Sequence, residues 1–445
     1  MAPDKTKQEN YFSELSQQIF ARLRGSEVLL LNYESEQSDF VRFNKARIRQ
    51  AGQVLQQQIH MDLVDSGRET RVAFNLCGEF AQDLAQAGVM LDSMREQLPL
   101  LPQDPYIHYA QDIHNSSYSS DQELPASGEM TSSIVELATG LDLVGILASG
   151  TLFFGFANSL GQRNWYSDRN VNLDWSVYSQ GDKAVKQNYA GAQWDRDTLK
   201  HKLEFARQTL PLLERPAKTI SPGQYRAFLA PAALHEIMGL LNWGGFGLKS
   251  HRTQQTPLIR MTRDNVRLDS RVSLTERHDQ GFAPLFTRQG FKKPAQVSLI
   301  REGVYQDCLA NPRSAREYAV EVNCDIEHPC SLVMETGTLS SKDVLSQLGT
   351  GVYISNLWYG NYSDRNHCRI TGMTRFACMW VENGEPVSPL NVMRFDESVL
   401  DLLGDKLIAI TSDSEHMLDP ATYEHRSNSS MRLPGILVDG LTFTL

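Results

Sequence analysis

The sequence predicts an α+β fold: an N-terminal domain of antiparallel strands packed with helices, then a β-rich C-terminal domain with few helices. Three observations point there. Apolar residues recur at helical spacing in a few segments, they alternate with period two between those segments, and the second half is mostly short strand-like runs separated by Gly, Asn and Pro. No stretch repeats at a fixed period. With 445 residues the chain exceeds one ordinary core, since single domains usually hold ~100–200 residues. The polar connector around Pro216 and Pro222 suggests domains of 1–215 and 216–445.

Taken in order, Phe12, Leu15, Ile19 and Leu23 predict an amphipathic helix closed by Gly25. Val28–Tyr33 and Asp39–Phe43 read as strands, with Asn44-Lys45 turning the chain before Ile48. Ile59, Met61 and Leu63, then Thr70, Val72, Phe74 and Leu76 across the turn Asp65-Ser66-Gly67, predict a hairpin with one buried face. A second helix follows from Phe80 to Leu98 and stops near Pro99. The Ser-, Asp- and Pro-rich stretch from Pro102 to Ser127, centred on Asn115–Ser120, reads as an exposed loop, and Ile134, Leu137 and Leu141 as a short helix. The apolar run Leu143–Ala157 is too short for a membrane span, which needs ~20 residues. Broken by Ala148-Ser149-Gly150, it reads as two strands and a turn. A strand at Asn170–Tyr178 and a helix from Trp194 to Leu213 complete the first half. The second half opens with strand Tyr225–Ala230 and helix Ala232–Leu241, and Asp396–Leu403 reads as a helical insertion.

Composition narrows the function. The sequence is 41% hydrophobic and 22% charged, as in globular proteins. Its formal charge of −10 and lack of any Lys/Arg run argue against nucleic acid as a direct partner. The first residues lack a signal peptide's apolar core, so the expected compartment is the cytoplasm, with no membrane partner. Six cysteines in so long a chain are expected to be reduced thiols.

Several strings spread along the chain together resemble one family. They are Val41–Gln50, Phe156-Ala157-Asn158-Ser159-Leu160-Gly161, Thr350–Ile354, Gly360-Asn361-Tyr362-Ser363, Val381–Pro386 and the closing Met431–Thr442. In content, order and spacing they are similar to the TldD/PmbA family of peptide-processing metalloproteases. Catalytic members carry H-E-x-x-x-H on a helix and a cysteine near the C-terminus. The resemblance implies that those side chains hold zinc while the Glu polarises its water. Here His235-Glu236-Ile237-Met238-Gly239-Leu240 keeps the string up to Gly239 and then places Leu240 where the second ligand belongs. No cysteine follows Cys378; the closing segment offers Ser427, Asn428, Ser429 and Ser430. His235, Glu236, Gly239 and Leu240 are therefore a degenerate remnant on a helix that packs through Leu234, Ile237, Met238 and Leu241.

The chain thus resembles the PmbA/TldE-type subunit without a complete metal motif. That type implies no metal in this chain, zinc in a metal-bearing TldD-like paralogue, and a pair that cleaves unfolded or leader peptides. This chain would shape one wall of the chamber and hold extended substrate by strand addition. Gly351, Val352, Tyr353 and Ile354, and the turn residues Gly244, Gly245 and Gly247, are the candidate substrate surfaces. Three other readings stay open: a self-sufficient metallopeptidase using His251, His278, His367, Cys368, Cys324 or Cys330; a non-enzymatic regulatory or binding protein; and a homodimer with an unrecognised activity.

Overall fold

The computed structural model describes residues 5–444. It is an α+β structure built on two large sheets. The first holds β1 (Val28–Asn44), β2 (Arg47–Asp65), β3 (Arg68–Asn75), β4 (Ser116–Ser119), β5 (Asp142–Asn158), β6 (Arg163–Tyr178) and β7 (Ala184–Gly191). Its order is β3-β2-β1-β5-β6-β4, with β7 beside the other end of β6. The second holds β8 (Gly223–Leu229), β9 (Leu274–Glu276), β10 (Val297–Arg301), β11 (Val304–Tyr305), β12 (Ser331–Met334), β13 (Gly351–Ile354) and β14 (Asn356–Asp364). It continues with β15 (Arg369–Arg375), β16 (Met379–Glu382), β17 (Glu385–Pro389), β18 (Arg394–Ser398), β19 (Leu407–Leu418) and β20 (Ser430–Phe443). The long strand β20 lies near its middle, between β12 and β8.

Period two explains how the first sheet packs. Odd-numbered residues of β1 and β5 face helices. Leu29, Leu31, Tyr33, Phe153 and Ala157 pack with α1 (Lys5–Phe20) and α2 (Phe80–Gln97). Val41, Phe43, Leu143 and Leu147 pack with α3 (Ser127–Leu137) and α4 (Arg196–Leu213). This second cluster also takes in Ala377 and Met379, so the two sheets share part of a core. The even-numbered face carries polar groups on β1 (Glu34, Glu36, Ser38 and Arg42) and β6 (Asp168, Asn170 and Asn172), while β5 between them places Leu152, Phe154 and Phe156 there. It turns toward the second sheet.

Several expectations change in the structure. Val28–Tyr33 and Asp39–Phe43 are one continuous strand, because the polar residues between them pair with β2 and β5 without interruption. Leu143–Ala157 likewise contains no turn. Gly150 lies in the strand where a Cβ would stand 2.1 Å from the Gln37 carbonyl oxygen, so glycine marks a close strand approach rather than a bend. The serine-rich segment contributes β4, parallel to β6, instead of remaining wholly loop. The first helix ends at Phe20, short of Gly25. At 396–403 the expected helix is present only as the single turn Val399–Leu402, because residues 396–398 are the end of strand β18. The Asn44-Lys45 turn is one residue late: Lys45 and Ala46 both have φ +53, the left-handed pair that a two-residue hairpin of this twist requires. No described helix is long and apolar enough to cross a membrane.

Candidate functional site

Helix α5 (Pro231–Asn242) carries the remnant string. Proline at its first position costs no hydrogen bond, because that N–H would be unpaired in any case. Leu234, Ile237, Met238 and Leu241 are buried in the main core of the second sheet, as the helical spacing predicts. His235 is half-buried, and burial pushes its imidazole below the usual range against an upward pull from Asp419. Glu236 lies on the outer side of the helix. Desolvation by neighbouring atoms raises its pKa, and the Lys186 ammonium on β7 opposes the shift. The polar face of α5 therefore lies within electrostatic reach of the first sheet.

The donor set does not fit zinc. Leu240 packs beside β14, its Cδ1 3.1 Å from where a Cβ on Gly360 would lie, and its carbonyl accepts from the Tyr362 hydroxyl at 2.7 Å. A metal needs lone pairs there, and an aliphatic side chain has none. The other candidates are dispersed. One ring nitrogen of His251 meets the Gly245 carbonyl at 2.9 Å, one of His278 meets the Pro294 carbonyl at 2.8 Å, and His367 pairs with Asp364 on the surface. Burial pushes the Cys330 and Cys368 thiols up to about 12 and raises Cys324 as well, so none is a ready thiolate. Among the described residues no three His, Cys, Asp or Glu side chains come together as a metal site.

The candidate substrate surfaces are also differently placed. Gly351, Val352, Tyr353 and Ile354 form β13, which pairs with β8 on one side and β16 on the other, so it has no free edge for an added strand. The sequence shows an alternating run but not which neighbours flank it. Gly244, Gly245 and Gly247 form a packed turn after α5. Gly244 has φ +82, and a Cβ on Gly245 would stand 2.2 Å from the Leu241 carbonyl oxygen.

A different region gathers polar groups. The connector 419–429, between β19 and β20, crosses the even-numbered face of the first sheet. Arg426 points down from it, with its side chain 4% exposed against 3% for Glu36, 3.6 Å away. It also donates to the Asn170 side-chain oxygen at 2.8 Å and backbone carbonyl at 3.2 Å, and its backbone N–H donates to Glu36 at 3.1 Å. Burial pulls the guanidinium down to about 10, even with Glu36 and Asp168 nearby. Beneath and beside this connector run four adjoining cavities of about 630, 330, 390 and 460 Å³. Successive cavities share walls: Arg42 and Thr422, then Glu36 and His425, then Glu34 and Arg426. Together they form a trough between the first sheet and the connector.

Along one side of the trough β2 has an open edge. Its residues 58–65 pair with β3, but among the described residues 47–56 have β1 on one side only. The Asp65–Arg68 pair closes a two-residue turn, which makes odd-numbered residues of β2 direct their N–H and C=O outward. Ala51, Gln53 and Leu55 thus present free backbone groups, and Leu55 is 66% exposed.

The second sheet's sequence settles the family. A model described as the PmbA/TldA metallopeptidase C-terminal domain matches residues 222–445, half of the chain. The chain belongs to the TldD/PmbA family. Solved structures with the same fold include a proposed modulator of a DNA gyrase from Thermotoga maritima, with TM-score 0.74 and 15% identity over 97% of this chain and 100% of that one. TldE from Thermococcus kodakarensis aligns with TM-score 0.72 and 14% identity over 98% of this chain and 100% of that one. A proposed modulator of DNA gyrase from Bacteroides thetaiotaomicron aligns at 0.72 and 16%, covering 100% of both. At these identities they speak for the fold alone. No curated protein matches the chain. As a TldD/PmbA member the chain is of a peptidase-like family, and its α5 string is the place to ask whether it retains the chemistry.

Proposed function

We propose that this chain is the non-metal-binding subunit of a two-chain peptidase that cleaves unfolded or leader peptides. One observation carries the reading: α5 keeps His235 and Glu236 but turns Leu240 into the packing against β14, and no cysteine follows Cys378. A single imidazole cannot hold a hydrolytic zinc, which takes three protein ligands and an open position. The zinc then belongs to a TldD-like paralogue, and this chain supplies chamber wall and substrate grip. Extended peptide is held along the open edge of β2 at Ala51, Gln53 and Leu55, where main-chain hydrogen bonds accept many side chains. This edge takes the role expected of Gly351–Ile354, which has none free.

The test is co-expression with each H-E-x-x-x-H paralogue of the same genome, followed by an unstructured-peptide cleavage assay with and without chelator. The expected result is a co-purifying pair whose cleavage a chelator stops. A chain that co-purifies with no paralogue, or a pair without peptidase activity, contradicts the reading. The latter result would favour a non-enzymatic binding role.

A further inference from the structure

The trough ends in the 460 Å³ cavity, which takes walls from the first sheet, from the connector and from the loops at 283–293 and 325–330. Four cations line it, Arg71, Arg288, Lys293 and Arg426, against two carboxylates, Glu34 and Asp325. Asp62 and Glu36 stand just outside the lining, so four carboxylates in all face the four cations. Three of the cations are already engaged: Arg71 with Asp62, Arg288 with Glu34, and Arg426 with Glu36.

Lys293 differs. It is only 5% exposed, yet among the described residues no hydrogen bond or ion pair reaches its ammonium. The buried carboxylate that feels its charge, Glu276, is turned toward the backbone N–H groups of Cys330 and Ser331, each 3.0 Å away. The side chain is buried while its ammonium is not sealed from the cavity, so an anion entering there can reach it directly and form a charge-assisted hydrogen bond.

We propose that Lys293 is the receptor for a carboxylate carried by an extended peptide lying in the trough. The inference rests on the reading that this chain holds peptides. Lys293 is the one lining cation outside an ion pair and offers a contact to a single negative charge, while the Glu34 and Asp325 carboxylates in the wall oppose a more highly charged anion. Asn428 lines the same cavity with a side-chain amide. The site binds rather than reacts: the Cys330 thiol beside it, pushed up to about 12, stays protonated at neutral pH. The carboxylate has two sources in a peptide, the C-terminus or an acidic side chain, and the two present the same chemistry to Lys293.

Calorimetry on the purified chain tests the site with three probes: N-acetyl-tetraalanine as the free acid, the same peptide as its amide, and an amide carrying one glutamate. The free acid, the glutamate peptide, or both should bind at least about tenfold tighter than the plain amide, as a charge-assisted hydrogen bond implies. Which of the two binds identifies the source. Lys293→Met should remove the preference and Lys293→Arg should keep it. The three-peptide comparison on the unaltered chain stands even where Lys293→Met fails to fold. Equal binding of all three peptides, binding of none, or a preference that survives Lys293→Met overturns the site. Equal binding leaves the peptide-holding role in place. Absence of cleavage with every paralogue would instead remove the subunit reading while the Lys293 preference stayed measurable.

Discussion

Helix α5 and the connector 419–429 both turn polar side chains toward the first sheet, but only the connector buries its charge. On α5, His235 and Glu236 stay at the margin, and the position that could have completed a metal site, Leu240, has joined the packing against β14. On the connector, Arg426 reaches the polar face of the first sheet and is sealed there with Glu36 and Asn170. The difference teaches where the molecule has fixed its geometry. A half-exposed histidine costs little to keep or lose, whereas a buried guanidinium holds two sheets in one arrangement and gives the trough its roof.

The contrast breaks most sharply at Arg426. Arg426→Met strands Glu36 in a buried site, and should destabilise the chain by about 3–5 kcal/mol, read as a lower denaturant midpoint. Adding Glu36→Leu should recover most of that loss, because the uncompensated charge goes with it. A midpoint unmoved by Arg426→Met would show that the connector does not clamp the sheets.

Next in size is a pH effect near the end of the connector, where the Ser430 N–H donates to the Cys330 carbonyl. Burial pushes the neighbouring Glu276 carboxyl up to about 7. Its neutral form is the one the fold favours, so its contribution is present below about pH 4.5 and lost as pH rises through 7. His278, pulled down to about 4 by burial, acts oppositely: its contribution rises between pH 4 and its ordinary value near 6.5. Glu276→Gln should therefore gain stability over the parent chain as pH climbs from 4.5 to 7.5, by up to about 3 kcal/mol, in unfolding curves taken across that range. A constant difference would mean that Glu276 titrates normally.

At Leu240 the expected effect is smaller. Leu240→His replaces a partly buried aliphatic with a polar ring beside Gly360, at about 1–2 kcal/mol. It should not confer zinc, since the late thiol is still missing. Metal analysis showing one zinc per chain in this variant would mean that α5 is closer to a working site than its packing indicates. Smallest of all, Gln53→Pro removes an N–H that points away from β1 and should shift stability by less than about 0.5 kcal/mol, while weakening capture of an extended peptide at the β2 edge. Unchanged capture would move substrate holding elsewhere.

Much of the fold was legible residue by residue. The alternation Ile59-Met61-Leu63 against Thr70-Val72-Phe74 gave the β2–β3 hairpin, and Leu234-Ile237-Met238-Leu241 gave the buried side of α5. Strand continuity was not, because Glu34–Ser38 looks like a loop until its partners on β2 and β5 are known. The family strings drew attention to α5, and the chemistry of Leu240 could be read directly. Arg426, Glu36 and Lys293 left no signal. A charged residue sealed between two sheets is spelled like one in solvent, and the polar face of an amphipathic strand ordinarily meets water. Only the crossing of the connector, far off in sequence, buries it.

The central claim is that this polypeptide cannot by itself supply the donors a hydrolytic zinc requires. Elemental analysis of the chain purified alone, after dialysis against a weak chelator, tests it most directly. The account predicts far less than one zinc per chain and no peptide cleavage. One tightly retained zinc per chain with chelator-sensitive cleavage would contradict it.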